Sequence, residues 1–177
     1  MSLSLTNLDE KTRAKMLEEL EQDVNAGKLY MSPRLNDRGV NDYPELLKSV
    51  ISDGDDGYLA KEIRTRGLLK AEETRKKPSG GFSVARVPIT APDTLAEGEF
   101  NRFYIRGLCS RATEEGIPEL VVYRAKVVTS PRSESEMKIG TRVNAERLLE
   151  DLRTHTGVDT ALGLPPGPNS GLSVRLP

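Results

Sequence analysis

Residues 119–128 read ELVVYRAKVV, and this stretch decides the fold class. Val121, Tyr123, Ala125 and Val127 fall on one face at a period of two. The other face begins apolar, with Leu120 and Val122, and turns basic at Arg124 and Lys126. The pattern predicts a strand that is buried at its start and half-exposed at its end. Upstream, Pro92, Asp93 and Thr94 open a helix that runs to about Glu115, with Leu95, Phe100, Tyr104, Leu108 and Ala112 on neighbouring faces. Gly107 lies inside it. An internal glycine costs roughly 1 kcal/mol against alanine, so close packing on another element is the expected reason for it. Gly116 and Pro118 end this helix.

Downstream, the loop TSPRSESEMKIG (129–140) leads to a helix capped by Asn144, with Val143 and Leu148 placed as a hydrophobic staple. Leu148, Leu149 and Leu152 form its apolar stripe, and Gly157 closes it. Further out, Phe82 to Ile89 reads as a strand that Pro88 confines to an edge or an end. Strand–helix–strand over 82–128 predicts a parallel pair with a right-handed crossover. Two strands make a poor sheet, so more strands are expected, from this chain or from a partner.

Residues 70–81 (KAEETRKKPSGG) lack apolar side chains apart from Ala71 and read as a linker or mobile loop. Before them stands a string of short helices. One covers residues 8–26, with Thr6 or Asn7 as its cap. A second starts at Tyr43-Pro44 and carries Leu46, Leu47, Val50 and Ile51, since proline is favoured in a first turn. A third follows Asp55-Asp56 and ends at Gly67; residues 28–42 between the first two read as irregular. The expected organisation is a helical region over 1–69, the linker over 70–81, an α/β core over 82–157 and an extended arm over 158–177. The fold class is α+β: short N-terminal helices, a small sheet with packed helices, and the C-terminal arm.

Composition narrows the function. The 177 residues carry 26 basic and 27 acidic side chains, a net charge of −1. Phosphate neutralisation drives nucleic-acid binding, so a nucleic-acid partner is possible but not favoured, and any such site is local. Arg75, Lys76 and Lys77, with Arg124 and Lys126 at the strand end, are the candidate phosphate contacts. The single cysteine, Cys109, excludes an internal disulfide and fits a reducing compartment. No stretch approaches the roughly 20 apolar residues of a membrane span, and the first residues have no signal-peptide pattern.

Catalytic patterns fail one by one. Cys109 with His155 as its base would place the nucleophile mid-helix beside Leu108, where a packing cysteine is expected. The run Asp53-Gly-Asp-Asp-Gly57 opens like a calcium loop, but Tyr58 and Arg64 stand where glycine and glutamate are required. Pro92-Asp93 and Glu136-Met-Lys138 supply the letters of a magnesium nuclease, yet a helix and a strand separate the two acids. The expectation is a non-enzymatic protein with no catalytic residues, no metal and no cofactor.

The C-terminal arm is unusual in being apolar. Pro165, Pro166 and Pro168 favour an extended path, and Leu162, Leu164, Leu172, Val174 and Leu176 are the candidate partner-binding residues. Leu172, Val174 and Leu176 alternate with Ser173 and Arg175 after an Asn169-Ser-Gly171 turn. Burying three aliphatic side chains yields roughly 5–9 kcal/mol. Fixing seven residues costs about as much. Docking therefore needs backbone hydrogen bonds, as in strand addition to a sheet edge, either of the same domain or of a neighbour.

Residues 98–111 (GEFNRFYIRGLCSR), the VVYRAK strand at 121–126 and the LPPGPNSGLSVRLP ending together resemble small proteins among the structural genes of tailed bacteriophages and prophages. The likeness covers roughly the C-terminal half. It implies a virion component of the capsid cement or decoration type, or another head-associated part. Its partners would be the major capsid protein or copies of itself in a symmetric homo-oligomer. It would be located in the virion, and in the host cytoplasm during assembly. No site residue is implied by it.

Overall fold

The computed structural model describes residues 2–156 and 170–177. The fold is α+β, as expected, and its axis is a buried helix. Three short helices come first: α1 (Glu10–Asn25), α2 (Asp37–Asp53) and α3 (Asp56–Thr65). Each is capped by an acidic or amide side chain. Asp9 accepts from the Thr12 N–H at 3.0 Å, Asn36 from Gly39 at 2.8 Å and Asp55 from Tyr58 at 2.7 Å. Thr6 and Asn7, expected as caps, instead give their backbone N–H groups to the hydroxyls of Tyr123 and Tyr104.

Helix α2 begins six residues before the expected Tyr43-Pro44 start and holds Pro44 inside it. Proline there cannot donate to the carbonyl of Val40, one turn back. Val40 lies on the exposed side of the helix, where water can take that carbonyl. The cap at Asn36 and the burial of Leu46, Leu47, Val50 and Ile51 outweigh the missing bond.

Residues 70–81 are not a linker. They contain β1 (Glu72–Lys76), which pairs antiparallel with β2 (Phe82–Arg86). Gly80 and Gly81 turn the chain at φ +90° and +78°, conformations open to glycine. The strand carries no apolar alternation, so only its pairing with β2 defines it.

Helix α4 (Ala91–Glu114) follows, packed against α1, α3 and α6 (Ala145–Thr154). Every residue from Glu99 to Cys109 is buried. At Gly107 the backbone of α1 crosses so closely that a Cβ would lie 2.7 Å from Met16 Cγ and 2.8 Å from Met16 N. This is the close packing expected of that glycine.

The main sheet has the order β4-β3-β5 and is antiparallel throughout. Its centre is β3 (Glu119–Arg124), flanked by β4 (Arg142–Asn144) and β5 (Leu172–Arg175). The expected parallel pairing of 82–89 with 119–128 does not occur, because β2 takes β1 as its partner and leaves the core. The strands missing from the expectation come from this chain. Leu120 and Val122 face the core, whereas Val121 and Tyr123 are half-buried. The loop after β3 contains a short helix, α5 (Ser133–Lys138), and Asn144 caps α6 as expected, accepting from the Arg147 N–H at 2.9 Å.

Candidate functional site

The predicted arm residues divide into two groups. Leu162 and Leu164 lie outside the described residues. Leu172 and Val174 are fully buried in β5, opposite Arg124 and Val122 of the same chain. The expected backbone pairing is therefore present, and the edge that receives it belongs to this domain. Asn101 of α4 holds the strand from beneath. Its Nδ2 donates to the Leu172 carbonyl at 2.8 Å, and its Oδ1 accepts from Ser173 Oγ at 2.7 Å. Leu176 is half-buried and gives its N–H to Asn7 Oδ1 at 2.9 Å.

The five candidate phosphate contacts do not converge. Arg124 is taken up by Glu136 and the Ser170 carbonyl, and Lys126 by Glu97. Arg75 pairs with Glu73 at 2.6 Å. Lys76 and Lys77 are exposed at the far end of the hairpin. The candidate catalytic groups are likewise engaged. Burial pushes the Cys109 thiol far up, away from the thiolate a nucleophile needs. His155 ends α6 with Nδ1 2.9 Å from Asp151 Oδ1. Asp93 pairs with Arg64, and Glu136 with Arg124. Asp55 caps α3, and Asp56 accepts the Leu3 N–H at 3.0 Å. Among the described residues no three His, Cys, Asp or Glu side chains are grouped as metal ligands, and no helix is long and apolar enough to cross a membrane.

Two constellations emerge that local patterns do not reveal. The first is a buried charge cluster on α4. Arg106, only 1% exposed, donates to Glu19 Oε2 at 2.8 Å and to Asp23 Oδ2 at 2.5 Å, and its guanidinium lies 5.1 Å from the Phe103 ring centroid. Arg153 of α6 takes the other oxygen of Glu19 at 2.5 Å. These bonds lock α1, α4 and α6 together by charge-assisted forks. Nearby, Glu99 Oε2 and the Tyr43 hydroxyl are buried with no hydrogen-bond partner. Burial pushes the Glu99 carboxyl up to about 7, against the opposing pull of the Arg102 guanidinium.

The second constellation is the β1–β2 hairpin. Paired residues of an antiparallel ladder share a face. Glu73, Ser83 and Ala85 are half-buried on the inner face, where Glu73 takes Arg34 in a two-pronged pair at 2.5 and 3.2 Å. Lys70 N donates to the Arg34 carbonyl at 2.8 Å, fixing the root of the hairpin. The outer face carries Phe82, Val84 and Thr74 together with the charged Glu72, Lys76 and Arg86. Phe82 is 70% and Val84 68% exposed, and Ile89 is exposed just beyond the strand. A lone two-stranded ribbon is marginal in water, and two exposed apolar side chains rimmed by charge offer a docking surface.

No family model, curated protein or solved structure matches the chain.

Proposed function

We propose that the chain is a non-enzymatic structural subunit of a symmetric assembly, docking on its neighbours through the outer face of the β1–β2 hairpin. One observation carries this reading. Phe82 and Val84 stand exposed on a ribbon whose inner face is tied to the body by Arg34 and Glu73. The ribbon is thus held in place with Phe82 and Val84 outward, among Glu72, Lys76 and Arg86. The likeness of residues 98–111, 121–126 and 164–177 to tailed-phage structural proteins supports a head-associated component of the cement or decoration type. It would work in the virion and in the host cytoplasm during assembly. In this reading the terminal strand has a different duty from the hairpin. Leu172 and Val174 complete the subunit's own sheet, which leaves the hairpin to face outward.

The test is sedimentation of the tagged chain from the cells that encode it. The chain is expected to travel with particles far heavier than its 19.5 kDa. The double variant Phe82→Ser, Val84→Ser is expected to return to the top of the gradient while keeping its circular dichroism. A wild-type chain found only at the top would overturn the proposal.

A further inference from the structure

The outer face of the hairpin is one surface; its free edge is another. We propose that two copies of this chain pair through the edge of β1, antiparallel and centred on Thr74, to form one four-stranded sheet. The inference rests on the edge alone, and it stands whether or not a larger assembly takes up the face.

The first argument is hydrogen-bond parity. Val87 N donates to the Ala71 carbonyl at 2.9 Å, and Lys77 N donates to the Gly81 carbonyl at 3.0 Å. Residues 71, 73, 75 and 77 therefore turn their backbone groups toward β2. Glu72, Thr74 and Lys76 turn theirs away. Among the described residues these outward groups of β1 have no backbone partner. A two-fold axis through Thr74 sets Thr74 against its counterpart and Glu72 against Lys76 of the second copy. All three pairings then join outward-facing residues. Each such pair exchanges two bonds, so the edge gains about six.

The second argument is charge. β1 reads Glu72-Glu73-Thr74-Arg75-Lys76, acidic before the axis and basic after it. Under that two-fold axis every carboxylate meets a cation: Glu72 meets Lys76 of the second copy, and Glu73 meets Arg75 of the second copy. The neighbouring registers that keep the same parity lose this match. A shift one way places Glu73 on Glu73, and a shift the other way places Arg75 on Arg75. Like charges directly opposite destabilise a ladder, so one register is selected. Charged edge strands normally repel chance partners, and this edge repels all but a copy in the stated register. The β2 edge, Phe82-Ser-Val-Ala-Arg86, offers no comparable match, since a two-fold axis at Val84 sets Phe82 against Arg86.

The third argument is what the pairing completes. A two-stranded ribbon becomes four strands, a size at which a sheet is independently stable. The exposed Phe82 and Val84 of both copies then lie on one face of the sheet, on its two outer strands, with Glu72, Thr74 and Lys76 of both copies between them. The contact is isologous, with the same patch on both sides, as closed two-fold symmetry requires.

Light scattering on the eluting full-length chain tests this. The expected mass is a dimer of the 19.5 kDa chain. Glu72→Lys and Lys76→Glu each set like charges opposite, and each alone is expected to weaken dimerisation about tenfold or more. Mixed in equal amounts, the two variants meet with opposite charges, and a dimer containing one of each is expected at wild-type affinity. Thr74→Pro removes only an outward N–H, leaves the bonds to β2 in place, and is expected to give a monomer with an unchanged fold. A wild-type chain that stays monomeric would overturn the inference. So would charge variants that dimerise like the wild type, or a mixture that stays monomeric. A dimer that never enters a heavier particle would sink the proposed function and leave this inference standing.

Discussion

In the middle of α4 the charged Glu99, Arg102 and Arg106 lie inside the protein, while in the β1–β2 hairpin the apolar Phe82 and Val84 lie outside. Arg106 is buried because Glu19 and Asp23 meet its guanidinium from α1, while Phe82 and Val84 are exposed because nothing among the described residues covers them. The difference teaches where each region finds its complement. Arg106 of α4 finds its partners within the chain, and the same holds for β3, whose open edge is filled by β5. The hairpin is satisfied within the chain on its inner face only. Substitutions in the two regions should therefore differ sharply in their cost to stability.

The largest effect is expected where the sheet is closed. Val174→Asp places a carboxylate at a fully buried position opposite Val122, with no cation assigned to it. The expected loss is about 5 kcal/mol or more, enough to unfold many domains, and urea titration reads it. Next comes Arg106→Met, which nearly keeps the volume but strands Asp23 and leaves Glu19 with Arg153 alone. Removing one partner of a buried pair costs about 3–5 kcal/mol, again measured by urea titration.

Glu99 supplies the third test, with pH as the variable. Its carboxyl is held at about 7 in the folded chain, above the ordinary 4.5. Below the ordinary value both states are protonated, and burial carries no ionic penalty. Between the two values the unfolded chain ionises first, so stability falls as pH rises. The fall levels off above the folded value after about 3 kcal/mol. Glu99→Gln should remove that slope, so melting curves at pH 4 and pH 8 would lie closer together than for the wild type. An unchanged slope would place the titration elsewhere. The smallest effect is expected in the hairpin. Phe82→Ser with Val84→Ser should change stability by no more than about 0.5 kcal/mol at each site, because neither side chain leaves a packed environment. A large loss there would show that the outer face is covered after all.

The parts of the fold legible in the sequence are those fixed by local signals. Helix α3, the Asn144 cap, the strand at 119–124 and the tight crossing at Gly107 all follow from residues within a few positions of one another. β1 was not legible because Glu-Glu-Thr-Arg-Lys has no alternation, and its strand conformation comes from its pairing with β2. The early start of α2 was hidden by Pro44, whose cost is offset by burial of the helix around it. The charge lock was not legible for a similar reason. Arg106 and Glu19 stand 87 residues apart, and a charged residue inside a helix ordinarily marks the solvent side. Glu99, Arg102 and Arg106, at spacings of three and four, form a polar stripe of the kind that ordinarily faces water, so the local pattern points the wrong way.

The bond between Asn7 and Leu176 brings the two ends of the described chain together. A chain relinked there by a short spacer and reopened between Pro78 and Gly80 would thread the same contacts in a new order. Its first and last strands would then be the two strands of the hairpin. Such a circular permutant should keep the wild-type far-ultraviolet spectrum, because the cut falls in an exposed turn outside the core.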